Sequence, residues 1–185
     1  MPMMPKGFER TPPRILIACI GNIFLGDDGF GVEVAKRLSQ RAWPDEVRVA
    51  DFGIRGFDLA FALMDGYDVT IFVDATARGG RPGTLYVIEP DLAEIESADG
   101  QRIMPPMLTD PHGMDPMKVL QMARSMGAEL NRILLVGCEP ETFGPEDEGL
   151  MGLSAPVEAA VNEATPIIES LVNNVLSEQR SSLTT

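Results

Sequence analysis

Short apolar runs alternate along this chain with segments of helical period, and one link between two runs is too short to hold a helix. RILIACIG (14–21), VRVADFG (47–53), DVTIFVDAT (68–76) and RILLVGCEP (132–140) are rich in Ile, Val and Leu and stopped by glycine or a polar residue. They read as strands of a largely parallel sheet. Between them, Phe30, Val34 and Leu38 share one helical face over 29–41, and GFDLAFALMDG (56–66) reads as a short helix ending at Gly66. Asp115-Pro116 opens a third helix running to about Ser125, with proline at its first position. Ser154-Ala155-Pro156 opens a last one, with Val157, Val161, Ala164, Ile168, Leu171 and Val175 on one side and Pro166 expected to kink it. The exception is ARGGRPG (77–83), which precedes the strand TLYVIEP (84–90). A parallel crossover takes about a dozen residues or more, so this link predicts a hairpin-like return and an antiparallel edge strand. The order β-α-β-α-β-β-α-β-α predicts an α/β protein: a three-layer α/β/α sandwich on a mostly parallel twisted sheet with one antiparallel edge strand.

The 185 residues suit a single domain. The reading is one α/β domain over 14–176, with a flexible N-terminal arm at 1–13 and a flexible tail at 177–185. Lys and Arg number 15 against 28 Asp and Glu, a net charge of −13. Such a balance disfavours nucleic acid and anionic membrane surfaces as partners. No apolar run approaches the roughly 18 residues of a membrane span, and no secretory leader is legible, so the expected location is the cytoplasm. Cys19 and Cys138 lie inside apolar runs and read as buried thiols. A single histidine, His112, excludes every multi-histidine zinc signature.

In sheets of this kind ligands sit beyond the carboxyl ends of the strands. Three polar features fall there. GNIFLGDDG (21–29) follows the first strand, Asp74 ends the third, and His112 lies in TDPHGMDP (109–116). One aspartate of the pair Asp27–Asp28 is accounted for as a helix cap; the second is a spare carboxylate. Acids here would repel a pyrophosphate, and the glycine spacing is not that of a dinucleotide loop. An acid at the end of an apolar strand is costly unless it is paired or liganded. Two carboxylates and an imidazole make an open three-ligand set for a borderline divalent metal, with positions left for water or substrate. No GxSxG is present, and neither cysteine sits in a nucleophile motif.

GNIFLGDDGFGVEV (21–34), DFGIRG (51–56), IFVDA (71–75), PHGMD (111–115) and the closing GLSAPVEAAV together resemble the [NiFe]-hydrogenase maturation endopeptidases, in order and over about 14–176. The resemblance implies a compact three-layer α/β peptidase, of the aspartyl-type endopeptidase kind, without a Ser or Cys nucleophile. Its implied reaction removes the C-terminal peptide from the hydrogenase large-subunit precursor after nickel insertion. It implies metal-binding and catalytic roles for Asp28, Asp74 and His112, with nickel carried by the precursor and zinc or cadmium as substitutes in vitro. Where relatives often have Gly-Thr-x-Gly, this chain has Gly53-Ile54-Arg55-Gly56. A hydroxyl is exchanged for a cation, and Gly53, Arg55 and Gly56 become candidate substrate contacts, with Arg55 otherwise a solvated loop charge. The acidic run 139–148 (EPETFGPEDE) reads as a solvated loop, or else as a face for a basic precursor surface.

Two other functions fit parts of the pattern. A receiver-type phosphoacceptor domain shares the acid pair after strand one and the aspartate ending strand three. It also needs a lysine at the end of the last core strand, where this chain has Cys138-Glu139. A non-catalytic nickel-sensing chaperone would bind the same precursor and leave its C-terminus uncut.

Overall fold

The computed structural model describes residues 12–92, 116–145 and 148–181. Strands β1 (Ile15–Ile20), β2 (Val47–Gly53), β3 (Val69–Ala75), β4 (Leu85–Ile88) and β5 (Arg132–Cys138) form one sheet in the order β2-β1-β3-β5-β4. β1, β2, β3 and β5 are parallel, and β4 runs antiparallel to β5, with Leu85 opposite Cys138 and Ile88 opposite Leu135. The expected sandwich and its antiparallel edge strand are both present. One detail differs: β4 does not pair with β3. β5 inserts between them, and the 77–83 link passes over its end, tied by Gly83 N donating to Glu139 O and Glu139 N to Thr84 O, each at 2.8 Å.

The period of two along the strands divides the core. Ile15, Ile17, Cys19, Ile71, Val73, Leu134 and Val136 face α1 (Phe30–Leu38) and α4 (Ala155–Ser181). Leu16, Ala18, Ile20, Phe72, Ile133 and Leu135 face α2 (Gly56–Leu63) and α3 (Pro116–Ser125). Each large side chain removed from water contributes about 1.5–3 kcal/mol, so both faces of β1, β3 and β5 are committed to a helix layer. Phe30, Val34 and Leu38 are fully buried, as their spacing requires. Arg37 donates to Asn162 Oδ1 at 2.6 Å, and Arg41 pairs with Glu169, joining the polar margins of α1 and α4. α4 continues to Ser181, through residues read from sequence as the start of a flexible tail at 177. Its apolar stripe carries it there, since Val172 and Val175 still pack on the core. Most of the expected arm at 1–13 lies outside the described residues.

Two glycines decide how closely the first crossover approaches the sheet. A Cβ on Gly31, in the first turn of α1, would fall 2.1 Å from Ile20 O and 2.4 Å from Val73 O. A Cβ on Gly21, where φ is +145°, would fall 2.0 Å from Asp28 O. Both obstacles are backbone, which cannot step aside as a side chain can. The turn before α1 is thereby held against the carboxyl ends of β1 and β3.

Gly31→Ala is expected to cost on the order of 3 kcal/mol or more in urea unfolding, because relief requires moving a strand or a helix. Gly66→Ala, at φ +72° with no atom within 4 Å, should cost about 1 kcal/mol. Equal losses at the two positions would contradict the close approach at Gly31.

Candidate active site

A single 3₁₀ turn, Gly26–Gly29, connects the loop after β1 to α1 and carries Asp27 and Asp28. Both are essentially inaccessible, at 0% and 1% exposure. Asp28 Oδ2 accepts the Asn22 N–H at 2.8 Å, which folds the loop back on itself. Asp74, 5% exposed, is the penultimate residue of β3 and lies in register with Gly137 of β5. β3 and the 26–29 turn are in contact. Asp28 and Asp74 therefore share the carboxyl edge of the sheet, as expected. His112 lies outside the described residues. Among the described residues no three His, Cys, Asp or Glu side chains form a metal-binding group.

The aspartate pair divides its work differently from the expectation of a cap and a spare. Neither the 3₁₀ turn nor α1 receives a side-chain cap. Asp27 turns away from its own helix and accepts from Glu141 N at 2.7 Å, Thr142 N at 3.0 Å, Ser154 N at 2.7 Å and Ser154 Oγ at 2.9 Å. Its own N–H donates to Thr142 O at 3.0 Å. The neighbouring backbone is stitched too: Gly26 N donates to Leu150 O at 2.7 Å and Leu150 N to Phe24 O at 2.8 Å. A carboxylate is acceptor-only with room for about four donors, so Asp27 is saturated by the segment joining β5 to α4.

That segment begins with a residue the sequence reading missed. Glu139 heads the acidic run expected to be a solvated loop, yet it is 4% exposed. It accepts from Arg78 N at 2.9 Å, Gly79 N at 3.0 Å and the Tyr86 hydroxyl at 2.8 Å. Burial alone would raise its pKa. The Tyr86 hydroxyl and the N–H groups of Arg78, Gly80 and Gly79 outweigh burial and hold the carboxyl below the ordinary glutamate range. Tyr86 is raised in turn, first by that hydrogen bond and then by burial. The available signal was position: Glu139 directly follows the apolar stretch Ile133–Cys138 and faces a Gly-Gly turn. Glu141 and Glu148, by contrast, are exposed as the run predicted.

Gly53 and Arg55 line a cleft of about 310 Å³ together with Gly21, Asn22, Ile23 and Ile54. Gly56 opens α2 beside it. The Arg55 guanidinium folds onto its own turn, donating from Nε to Phe52 O at 3.0 Å and from its terminal nitrogen to Asp51 O, with Asp58 3.8 Å away. Ile23, Phe24, Ile54, Phe57, Leu150 and Met151 are exposed in the segments following β1, β2 and β5. Such apolar side chains at a cleft mark a surface that meets another molecule. Both cysteines are buried free thiols. Burial, with a contribution from Asp51, pushes Cys19 far up. Burial, followed by Asp27, Glu139 and Glu163, pushes Cys138 up to about 12.

The family model for hydrogenase maturation proteases matches residues 32–171. The chain belongs to that family. It is 36% identical over 155 residues to the hydrogenase expression/formation protein HoxM of Azotobacter vinelandii, covering 83% of this chain and 70% of that one. It is 31% identical over 153 residues to the hydrogenase 2 maturation protease of Escherichia coli K12, covering 82% and 85%. Among solved structures, the hydrogenase maturating endopeptidase HybD of E. coli superposes with a TM-score of 0.68 at 28% identity, over 87% of this chain and 93% of HybD. The resemblance read from the GN…DDG and PH motifs is thus established, and the family is one of peptidases. Membership removes the receiver-type alternative, and Glu139 with its N–H cradle occupies the place where that alternative needs a lysine. No helix among the described residues of this maturation protease is long and apolar enough to cross a membrane.

The lowered pKa of Glu139 sets a pH dependence. A group depressed in the folded state contributes stability that is complete above its unfolded pKa and is lost as pH falls through the folded value. The melting-temperature difference between wild type and Glu139→Gln should therefore be greatest above the ordinary glutamate pKa and shrink as pH falls below it. A difference that is flat on both sides of that value would show that the folded carboxyl titrates normally.

Proposed function

We propose that this maturation protease removes the C-terminal peptide from the nickel-loaded precursor of a [NiFe]-hydrogenase large subunit, using the precursor's own nickel as the recognition element. The supporting observation is the burial of two carboxylates, Asp28 and Asp74, at one carboxyl edge of the sheet, with Asp28 accepting from the N–H of Asn22, a residue that lines the apolar-rimmed cleft. In this reading Asp28, Asp74 and His112 approach the metal held by the precursor. The metal centre is hard enough to accept carboxylate oxygens and borderline enough to accept imidazole. Zinc or cadmium would occupy the same three residues when supplied alone.

The chemistry is hydrolysis with a positioned base. A carboxylate of the site takes a proton from a water as its oxygen adds to the scissile carbonyl carbon. The C–N bond then breaks, the proton passes to the leaving amine, and the products are a new C-terminal carboxylate and a released peptide. The two cysteines take no part, because thiols raised this far by burial are poor nucleophiles. The exposed Ile23, Phe24 and Ile54 seat the chain on either side of the cut bond, and Gly53, Arg55 and Gly56 border the released segment. The location in this reading is the cytoplasm.

Mass spectrometry of a purified nickel-loaded precursor, before and after incubation, tests the reading directly. Loss of the C-terminal peptide with wild type is expected, and at least a hundredfold slower loss with Asp74→Asn, His112→Ala or Asp28→Ala. Asp28→Glu keeps a carboxylate and should retain part of the activity, whereas Asp28→Ser should not. Full activity with Asp28→Ser would remove Asp28 from the site. A stable complex that never cuts would make the protein a nickel-sensing chaperone instead.

A further inference from the structure

Four acidic side chains are buried among the described residues, Asp27, Asp28, Asp74 and Glu139, and the proposed reaction uses two of them. The other two sit where they control the first two. Asp27 directly precedes Asp28 on the 26–29 turn, and its carboxylate points the other way, into the β5–α4 segment at Glu141, Thr142 and Ser154. Glu139 opens that same segment and grips the backbone at Arg78 and Gly79, four and five residues beyond Asp74. The chain between is pinned as well, by Thr76 N donating to Cys138 O at 2.8 Å. A Cβ at Gly80 would lie 2.1 Å from the Tyr86 hydroxyl, so the loop over Glu139 closes with no spare room.

We propose that Asp27 and Glu139 are positioning residues, Asp27 fixing the 26–29 turn that carries Asp28 and Glu139 fixing the turn that follows Asp74 and the end of β3, both acting through the segment that joins β5 to α4. The proposal rests on the reading of Asp28 and Asp74 as the acids of the site. Its physical basis is the donor count. The groups that meet the Asp27 and Glu139 carboxyls are N–H or O–H donors, and only an acceptor-only carboxylate accepts from all of them at once. An amide in its place turns its own N–H₂ against those donors, and the loop must shift to relieve the conflict. A displacement near 1 Å at a catalytic group costs up to about a hundredfold in rate, so even a partial shift is measurable. The joint also explains why one segment serves both acids. Asp28 and Asp74 belong to different strand ends, and a shared anchor keeps their separation constant when the precursor docks.

The test compares Asp27→Asn and Glu139→Gln with wild type well below the melting temperature of each, using the nickel-loaded precursor for kinetics and zinc ion alone for calorimetry. Expected are a fall in kcat of about tenfold or more, KM within about twofold, a zinc dissociation constant raised about fivefold or more, and an unchanged far-UV spectrum. Lower melting temperature with wild-type kcat and wild-type zinc affinity would overturn the proposal, since the residues would then stabilise without positioning. Where an amide variant does not fold, Ser154→Ala and Tyr86→Phe each remove one donor and leave the carboxylate. They should lower kcat about two- to fivefold in the same direction, and wild-type values for both would overturn the proposal. Asp28→Ala and Asp74→Asn run alongside. If these cleave at the wild-type rate, the site assignment itself fails and this proposal with it. If they are inactive while the Asp27 and Glu139 variants match wild type, the positioning role alone fails.

Discussion

The close approach of α1 to the ends of β1 and β3 is the constraint from which the rest of the site follows. Gly31 has no Cβ because the carbonyl oxygens of Ile20 and Val73 occupy its space. That contact brings the 26–29 turn down onto the sheet and sets Asp28 over the strand that ends in Asp74. Gly21 repeats the device one turn earlier, against the Asp28 carbonyl. The outcome is a pair of carboxylates from distant parts of the sequence, held by backbone packing and shielded from water. Burying them is expensive. The hydrophobic layers on both faces of β1, β3 and β5 supply the stability that tolerates it.

A second consequence concerns the turn that carries Asp28 and the turn that follows Asp74, which have little regular structure of their own. Buried carboxylates act as multi-acceptor joints that tie both to the segment joining β5 to α4. Asp27 binds the residues just after β5 and Ser154 just before α4, while Glu139 binds the turn after β3. The exposed apolar side chains lie on the solvent side of the loops at this edge, opposite the joints. In the endopeptidase reading this separates recognition from catalysis: Phe24 and Ile54 can tolerate change that Asp27 cannot.

Much of this was legible in the sequence, and the reasons are specific. The strands at 15–20, 69–75 and 132–138 were legible because both faces are buried and each holds an unbroken run of at least three large apolar side chains. The antiparallel edge was legible because 77–83 is too short to cross over. The places of Asp28 and Asp74 at the carboxyl edge were legible because one follows an apolar strand by a short loop and the other closes one. The insertion of β5 between β3 and β4 was not, because it depends on a pairing with a strand that comes more than forty residues later. The role of Asp27 was not legible either: three of its four donors are backbone N–H groups at 141, 142 and 154, which leave no trace in residue identity, and the fourth, the Ser154 hydroxyl, lies 127 residues away. Glu139 was hidden by company, one buried acid at the head of an acidic run in which Glu141 and Glu148, the other acids among the described residues, are exposed. The helical 177–181 was read as tail because its residues are polar, whereas the stripe that carries the helix ends just before them.

The central claim is that residues from three separate parts of the chain, Asp28, Asp74 and His112, converge on one metal-approaching site. Anomalous diffraction at the zinc edge, from crystals of the isolated protein soaked with excess zinc, measures this directly. The account predicts a peak at the carboxyl edge of the sheet with oxygens of Asp28 and Asp74 at about 2.0–2.2 Å and an imidazole nitrogen of His112 at about 2.0–2.1 Å, the fourth position held by water. A peak bound by other residues, or His112 placed away from both carboxylates, would contradict it.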